Sequence, residues 1–444
     1  MTAGHHAPRR AREQRLALFL SAAVAGLLAA LAYRRALGFA YFNDDPTGHF
    51  AWMEGRALVE FFGSAADYGY YRPVVFAVLR LMETLFGAGP GMHNPVADHA
   101  LLLVLHGANA GLLWLLAYRL GGRPAYAWVA AAVFAAVPFH YEAVTYVASL
   151  THPLSLFWLL ATLLLYESGR RSGGRVSTVL ALVTMSLGLL THESGLFVLP
   201  ALVGLEWVLR GEGERSLLPR RLWPFFVPPA LFAVLWLSIP KNSDAGLRAP
   251  GEIGRNVVPF LQTLVYPLLP LLPFDSGDVV WLLLVAAAAV AAIGYLAFAA
   301  GQLRLWAYAL GWIALSILPS LLFLSPDYLY GSPRLSYVPS VGVALFWALP
   351  VLWLWWWAET RRGQAAGPLG SLTLRVALSA FYAFIIVIPT LPFTRCQLDF
   401  YGEASRIVRD MAQTAAFAPP GQEVAFVNVP YFFSSTGDHP DGCP

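Results

Sequence analysis

The chain has 444 residues, of which 58% are hydrophobic and 12% charged, with a mean hydropathy of +0.58. A soluble domain carries about twice that share of charge, so the composition excludes an ordinary soluble protein. The net charge of +3 decides little, because in a membrane protein the placement of the positive residues matters more than their sum.

Apolar runs of roughly 16–24 residues are long enough to cross a bilayer. They fall at 16–39, 97–120, 124–139, 150–167, 176–191, 194–210, 222–240, 279–300, 303–324, 334–357 and 372–392. The first follows the basic segment Met1–Arg15 and has no small-residue cleavage site, so it reads as a retained span and not a cleaved signal peptide. Arginines set the orientation. Arg9, Arg10, Arg12 and Arg15 precede the first span. Arg119 and Arg123, then Arg170, Arg171 and Arg175, then Arg210, Arg215, Arg220 and Arg221, and finally Arg361, Arg362 and Arg375, fill alternate short loops. The positive-inside rule makes these cytoplasmic. Asn256–Phe274 is also apolar but is interrupted by Pro259, Pro267, Pro270 and Pro273. Counting it as a span would move Arg304 outside and Ser325–Tyr337 inside, so it reads as a re-entrant or interfacial segment.

The expected fold class is therefore an all-α polytopic membrane protein of about eleven transmembrane helices, N-terminus inside and C-terminus outside. Residues 1–15 form a basic cytoplasmic N-terminus, 16–392 the transmembrane domain and 393–444 a short external tail. Residues 42–96 make a long first external loop, in which Pro46–Phe62 and Val74–Phe86 have the apolar spacing of helices lying along the membrane surface. Lys241–Arg255 is a polar external loop. The tail contains a short amphipathic helix at Tyr401–Ala415 and a strand-like stretch at 423–429, too little for a core of its own. Its Cys396 and Cys443, the only cysteines, leave room for one bridge and match no metal-ligand spacing. The Ala, Leu and Arg usage points to a bacterial chain, which would place it in the inner membrane with these polar loops facing the exterior.

The first loop opens with Tyr41-Phe42-Asn43-Asp44-Asp45-Pro46-Thr47-Gly48-His49. Adjacent carboxylates at the mouth of a membrane helix are expensive to place. Asp45 followed by Pro46 reads as an N-cap and first helical residue, which accounts for Asp45 without chemistry. Asp44 has no such account and is the candidate catalytic residue. Tyr71-Arg72-Pro73 holds an arginine in a turn, suited to a phosphate or carboxylate ligand or to pairing with a nearby acid. His93-Asn94 follows. Within 138–152, Glu142, Thr145, Ser149 and His152 recur at three- and four-residue steps, which on one helix makes a polar face. Such a stripe either faces a wet cavity or snorkels to the interface. His140 with Glu142 supplies only two metal ligands, a weak signal that favours a metal-independent reaction. Thr191-His192-Glu193-Ser194-Gly195 separates two apolar runs on the same side. Arg334, in the tyrosine-rich segment Asp327–Tyr337, sits at the depth of a lipid phosphate or of an interfacial anchor.

No phosphate-binding loop or dinucleotide fingerprint is present, and nothing points to nucleic acid. An external acid–base site without access to cytoplasmic nucleotide sugars suits a lipid-linked donor. A general base deprotonates an acceptor hydroxyl, the oxygen attacks a phosphate-activated carbon, and arginine neutralises the departing phosphate.

In these motifs the chain resembles the GT-C-type glycosyltransferases that use polyprenyl-phosphate sugars. It is most similar to the transmembrane O-mannosyltransferases that carry tetratricopeptide repeats, and to their bacterial relatives. The matching landmarks, in order over roughly residues 15–360, are Asn43-Asp44-Asp45, Tyr71-Arg72-Pro73, His93-Asn94 with His106, His140-Tyr141-Glu142-Ala143-Val144, His192-Glu193-Ser194-Gly195, and Arg334-Leu335-Ser336-Tyr337-Val338-Pro339-Ser340-Val341-Gly342. The resemblance implies a polyprenyl-phosphate-sugar donor, mannose as a candidate sugar, and an acceptor hydroxyl on a protein, glycan or lipid. It places the catalytic base on Asp44, supported by Asp45, and the donor phosphate on Arg334, with Arg72 and His192 beside it. His140, Glu142, His152, Glu193 and Tyr337 are expected to line the substrate cavity, with no metal or other cofactor. The sequence departs from the family where Ser332-Pro333 replaces Ala-Glu, where His192-Glu193 stands for Lys-Glu, and in lacking the repeats. A transporter or lipid flippase, and a non-catalytic membrane scaffold, are the competing classes. A transporter calls for polar groups near mid-span on several helices and often for an inverted repeat, whereas a scaffold would tolerate loss of Asp44.

Overall fold

A backbone surrounded by lipid must satisfy its hydrogen bonds within itself, and no strand occurs among the described residues. The computed structural model describes residues 6–42, 44–65, 68–89, 91–211, 221–240, 246–271, 278–360, 368–417 and 419. The strand-like stretch 423–429, Asn43 and Cys443 lie outside them.

The helices of twelve residues or more among the described residues are, in chain order, α1 (His6–Ala32), α2 (Pro73–Phe86), α3 (Pro95–Gly121), α4 (Pro124–Ala135), α5 (Thr151–Ser172), α6 (Arg175–Thr191) and α7 (Val198–Leu209). They continue as α8 (Val227–Ser238), α9 (Pro250–Val265), α10 (Val279–Ala299), α11 (Leu303–Phe323), α12 (Pro339–Thr360), α13 (Pro368–Val387) and α14 (Leu391–Ala416). Proline opens α2, α3, α4 and α9, where its missing N–H is lost at no cost and its fixed φ suits the first turn. Asn94 caps α3 by accepting from Val96 and Ala97 N at 3.1 and 3.3 Å.

Each of the eleven expected stretches falls on a helix, but the count of eleven spans is not reached on length. Among the described residues, six helices are long and apolar enough to cross a membrane, or seven if the pair Pro124–Ala135 and Pro138–Thr145, bent by 54°, is one span. The shortfall arises because several stretches fold into short helices, such as α7 and α8 with 12 residues each. The length and apolarity of the crossing helices make the chain a polytopic membrane protein. The tail helix begins ten residues earlier than expected and runs as one 26-residue helix, α14. The interrupted stretch at 256–274 contributes α9, which is tied down by polar contacts. Asn256 Nδ2 donates to the carbonyls of Leu321 and Leu324 at 3.1 and 2.9 Å, and Thr263 Oγ1 meets Ser336 Oγ at 2.8 Å.

Several of the arginines used to read the orientation are paired with acids. Arg119 pairs with buried Glu167 at 3.1 Å, Arg170 and Arg221 with buried Glu206 at 3.0 and 3.1 Å, and Arg123 and Arg375 with Glu359 at 2.9 and 3.1 Å.

α3 lies at the centre, against α1, α4 and α5. Its approach to α1 is set by small residues, the usual way membrane helices come close without a hydrophobic driving force. A Cβ added at Gly26 would stand 2.5 Å from Gly107 O, and one at Gly107 would stand 2.7 Å from Gly26 O. Both obstacles are backbone and cannot swing aside. Gly107→Val is therefore expected to separate α1 from α3 and cost about 1–3 kcal/mol, read as a lower melting temperature of the detergent-purified protein.

Candidate active site

Beyond α1 the chain makes a 3₁₀ turn, Arg34–Gly38, then runs extended into the acidic motif. Phe42 stacks on Tyr146 with ring centroids 5.4 Å apart, and the Asp44 N–H donates to Tyr146 Oη at 3.0 Å. Asp45 is fully buried, and its carboxylate accepts from Ala148 N at 2.6 Å and Phe42 N at 3.3 Å. This corrects the N-cap expectation. Asp45 does not cap a following α-helix but ties the first loop to 146–150, and the chain after it winds as a π-helical turn, Asp45–Phe50. π turns are rare and recur at functional sites. Burial raises the Asp45 carboxyl well above the usual range, with the amides of Ala148 and Phe42 opposing it. Asp44 is exposed, and no described residue makes a hydrogen bond or ion pair with its carboxylate.

The loop is fastened on its other side as well. Tyr41 Oη donates to Asp98 at 2.6 Å, Phe50 stacks on His93 at 3.8 Å, and His49 Nε2 lies 2.9 Å from Tyr68 Oη.

Two arginine–glutamate pairs flank this loop. Arg72 Nη2 donates to Glu193 Oε1 at 2.8 Å and its Nε to Oε2 at 3.3 Å, a two-pronged pair joining residues 121 apart in sequence. Burial pushes the Glu193 carboxyl up, but the charge and hydrogen bonds of Arg72 outweigh it and hold Glu193 well below the carboxylate range. Arg334 pairs with buried Glu142 through its guanidinium, and its backbone N–H donates to the second carboxylate oxygen at 3.0 Å. Aromatic rings frame both guanidinium groups, with Arg72 over Tyr70 at 4.4 Å and Arg334 between Tyr146 at 5.9 Å and Tyr328 at 5.6 Å. The sequence left open whether Arg72 serves a phosphate or a nearby acid and whether Arg334 serves a lipid phosphate or an interfacial anchor; in this structure both are paired with acids.

His152 and His192 complete the wall, their rings 5.2 Å apart. His192 Nδ1 accepts from Ser194 N at 3.0 Å, which puts the proton of the neutral ring on Nε2. Burial lowers its pKa to about 4, with Glu193 opposing and Arg72 and Arg334 adding to the effect. At neutral pH it is therefore a hydrogen-bond donor without charge.

The single polar face expected across 142–152 does not form. The chain is broken into a 3₁₀ turn at Pro138–His140, a helical turn at Tyr141–Thr145, an extended Tyr146 and a second 3₁₀ turn at Val147–Leu150. Glu142 and His152 reach the site from different turns, while Thr145 bonds back to Tyr141 O at 2.7 Å and Ser149 Oγ is buried without a partner. His140 and Tyr337 are brought together elsewhere. Both are fully buried in a packed cluster in which His140 Nε2 meets Ser340 Oγ at 2.8 Å and Tyr337 Oη meets His106 Nδ1 at 2.9 Å. The packing of α3, α4 and α12 encloses both. Tyr146, His49 and Tyr68 belong to the site although sequence reasoning gave them no role. His49 and Tyr146 carried a signal, a ring inside a polar stretch, whereas Tyr68 lies in no motif and meets His49 only in the fold. Among the described residues, no three His, Cys, Asp or Glu side chains are grouped so as to hold a metal ion.

No family model matches the chain, and no curated protein matches it. Among solved structures it is similar to the crystal structure of the Archaeoglobus fulgidus oligosaccharyltransferase in complex with Zn and sulfate, at 14% identity and a TM-score of 0.44. The match covers 86% of this chain and 53% of that one, so the chain spans about half the length of that enzyme. A likeness this distant carries no argument about chemistry.

The buried histidines give the site a pH signature. Burial, then the charge of Arg72, lowers the His49 pKa to about 3, and the His192 pKa stands at about 4. An unfolded histidine titrates near about 6.5. Between those values the unfolded chain binds protons that the folded chain refuses, so stability falls as pH drops below about 6.5, by about 1.4 kcal/mol per unit per histidine. Melting temperature measured from pH 7.5 to 5 should fall accordingly, and His49→Gln should make the fall shallower.

Proposed function

We propose that the chain is a GT-C-type glycosyltransferase. It moves a sugar, mannose being the first candidate, from a polyprenyl-phosphate donor to an acceptor hydroxyl at the external face of a bacterial inner membrane. The observation that carries this reading is the exposed Asp44 carboxylate, which has no partner among the described residues and is flanked by two arginine–glutamate pairs, one half-buried (Arg72 with Glu193) and one built on the buried Glu142 (with Arg334). The ordered motifs of the sequence supply the donor class.

The chemistry follows from that arrangement. Asp44 takes the proton of the acceptor hydroxyl, and the oxygen attacks the anomeric carbon. The bond from that carbon to the phosphate oxygen breaks, and its electron pair leaves with the polyprenyl phosphate. Asp44 then returns the proton to water. Each guanidinium has five N–H donors, more than one carboxylate occupies, so Arg72 and Arg334 can hold phosphate while their glutamates keep them in place. The neutral His192 Nε2–H offers one more donor. Fixed donors at a developing charge stabilise the transition state without reorganising. Asp45, locked to two backbone amides, serves to place Asp44.

The test is turnover of radiolabelled polyprenyl-phosphate mannose by the purified protein with added envelope extract. Wild type should release or transfer the label, and Asp44→Asn should lower the rate about 10²–10⁴-fold with its fold intact. Wild-type rates in Asp44→Asn would refute the assignment. Arg334→Lys, which keeps the charge but loses the planar fork, should weaken donor binding about tenfold or more, read as a raised KM.

A further inference from the structure

The extended segment between the turn Arg34–Gly38 and Asp44 has no ladder of its own, so its backbone groups need partners from elsewhere. α14 provides them. Buried Ser405 accepts a hydrogen bond from Ala40 N, and Arg409 donates to Gly38 O. Buried Tyr401 packs against Phe42 at 5.2 Å and against Tyr141 at 5.4 Å. Gly402 lets Phe39 come so close that an added Cβ would meet the ring at 3.3 Å. On the exposed flank, Asp399 pairs with Arg35. The Arg35–Asp399, Ala40–Ser405 and Gly38–Arg409 contacts join residues 364, 365 and 371 apart in sequence. They fall immediately before the acidic pair, whose Asp45 carboxylate accepts from the same Phe42 that Tyr401 touches.

We propose that α14 is a positioning element of the active site. Ser405 and Tyr401 fix the register of Gly38–Phe42, and through it the place where the Asp44 carboxylate stands. The inference rests on the reading of Asp44 as the base. Its geometric half, that α14 orders the segment, is independent of any reaction. Ser405→Ala removes the acceptor of a backbone N–H that has no other bond, a loss felt locally because the unpaired amide must find another partner or move. Ser405→Thr keeps the hydroxyl.

Hydrogen exchange and turnover in the full-length protein test the two halves. Ser405→Ala should speed exchange of the amides in 39–45 at least tenfold while leaving α3 unchanged. It should lower kcat at least fivefold with donor KM within twofold. Ser405→Thr should restore both, and the exposed Arg409→Gln should act in the same direction more weakly. Unchanged exchange in both Ser405→Ala and Arg409→Gln would overturn the proposal, whatever reaction the protein performs. Faster exchange at an unchanged kcat would overturn it as well, since the segment would then be ordered to no catalytic purpose. A wild-type protein inactive with every polyprenyl-phosphate sugar would refute the functional reading, and the exchange result would still decide whether α14 orders the segment.

Discussion

The buried pair between Arg334 and Glu142 is the interaction on which the site depends. Taking two charges out of water costs several kcal/mol per ion, and only close geometry with further hydrogen bonds repays it. Both conditions hold here. Glu142 receives the guanidinium and the backbone N–H of Arg334, and the guanidinium also reaches Tyr328 Oη at 3.1 Å. The pair spans 192 residues and joins the broken helix after α4 to the turn before α12. Arg334 in turn lies over Tyr146, whose hydroxyl holds the Asp44 amide. A chain of contacts thus runs from Glu142 through Arg334 and Tyr146 to the acidic loop.

The second pair, Arg72 with Glu193, does the same work from the other side, joining the first loop to the break between α6 and α7. The two pairs explain how unladdered loops stay ordered at the membrane surface. They also divide labour between neighbouring acids. Asp45 is consumed by structure, its oxygens given to backbone amides, whereas Asp44 is left to solvent one residue away. Burial holds the His192 pKa at about 4, so at neutral pH it adds no charge beside Arg72 and Arg334.

Much of this was legible in the sequence. Long apolar runs located the helices, because lipid makes a polar interruption of a crossing helix expensive. Asp44 stood out since no local rule accounted for it. The failures have a common physical cause. Asp45 looked like an N-cap because its true partner, Ala148 N, is 103 residues away. The stripe from Glu142 to His152 assumed an unbroken helix, but Tyr146 is extended (φ −110°, ψ 116°), and that break is what sends Glu142 to Arg334 and His152 to His192. His140 and Tyr337 share motif blocks with site residues yet face the packed interior. The tail read as too small for a core of its own, and its contacts with Gly38–Phe42 join residues too far apart in the chain for local patterns to show. Local patterns specify elements, whereas these roles are set by partners far away in the chain.

The most direct measurement of the central claim is an experimental structure of the wild-type protein with a polyprenyl-phosphate sugar bound. The account predicts the phosphate against the guanidinium groups of Arg72 and Arg334, the Nε2 of His192 donating to it, and the anomeric carbon open to a hydroxyl held by Asp44. A donor whose phosphate lies away from both arginines, or whose sugar faces away from Asp44, would contradict it.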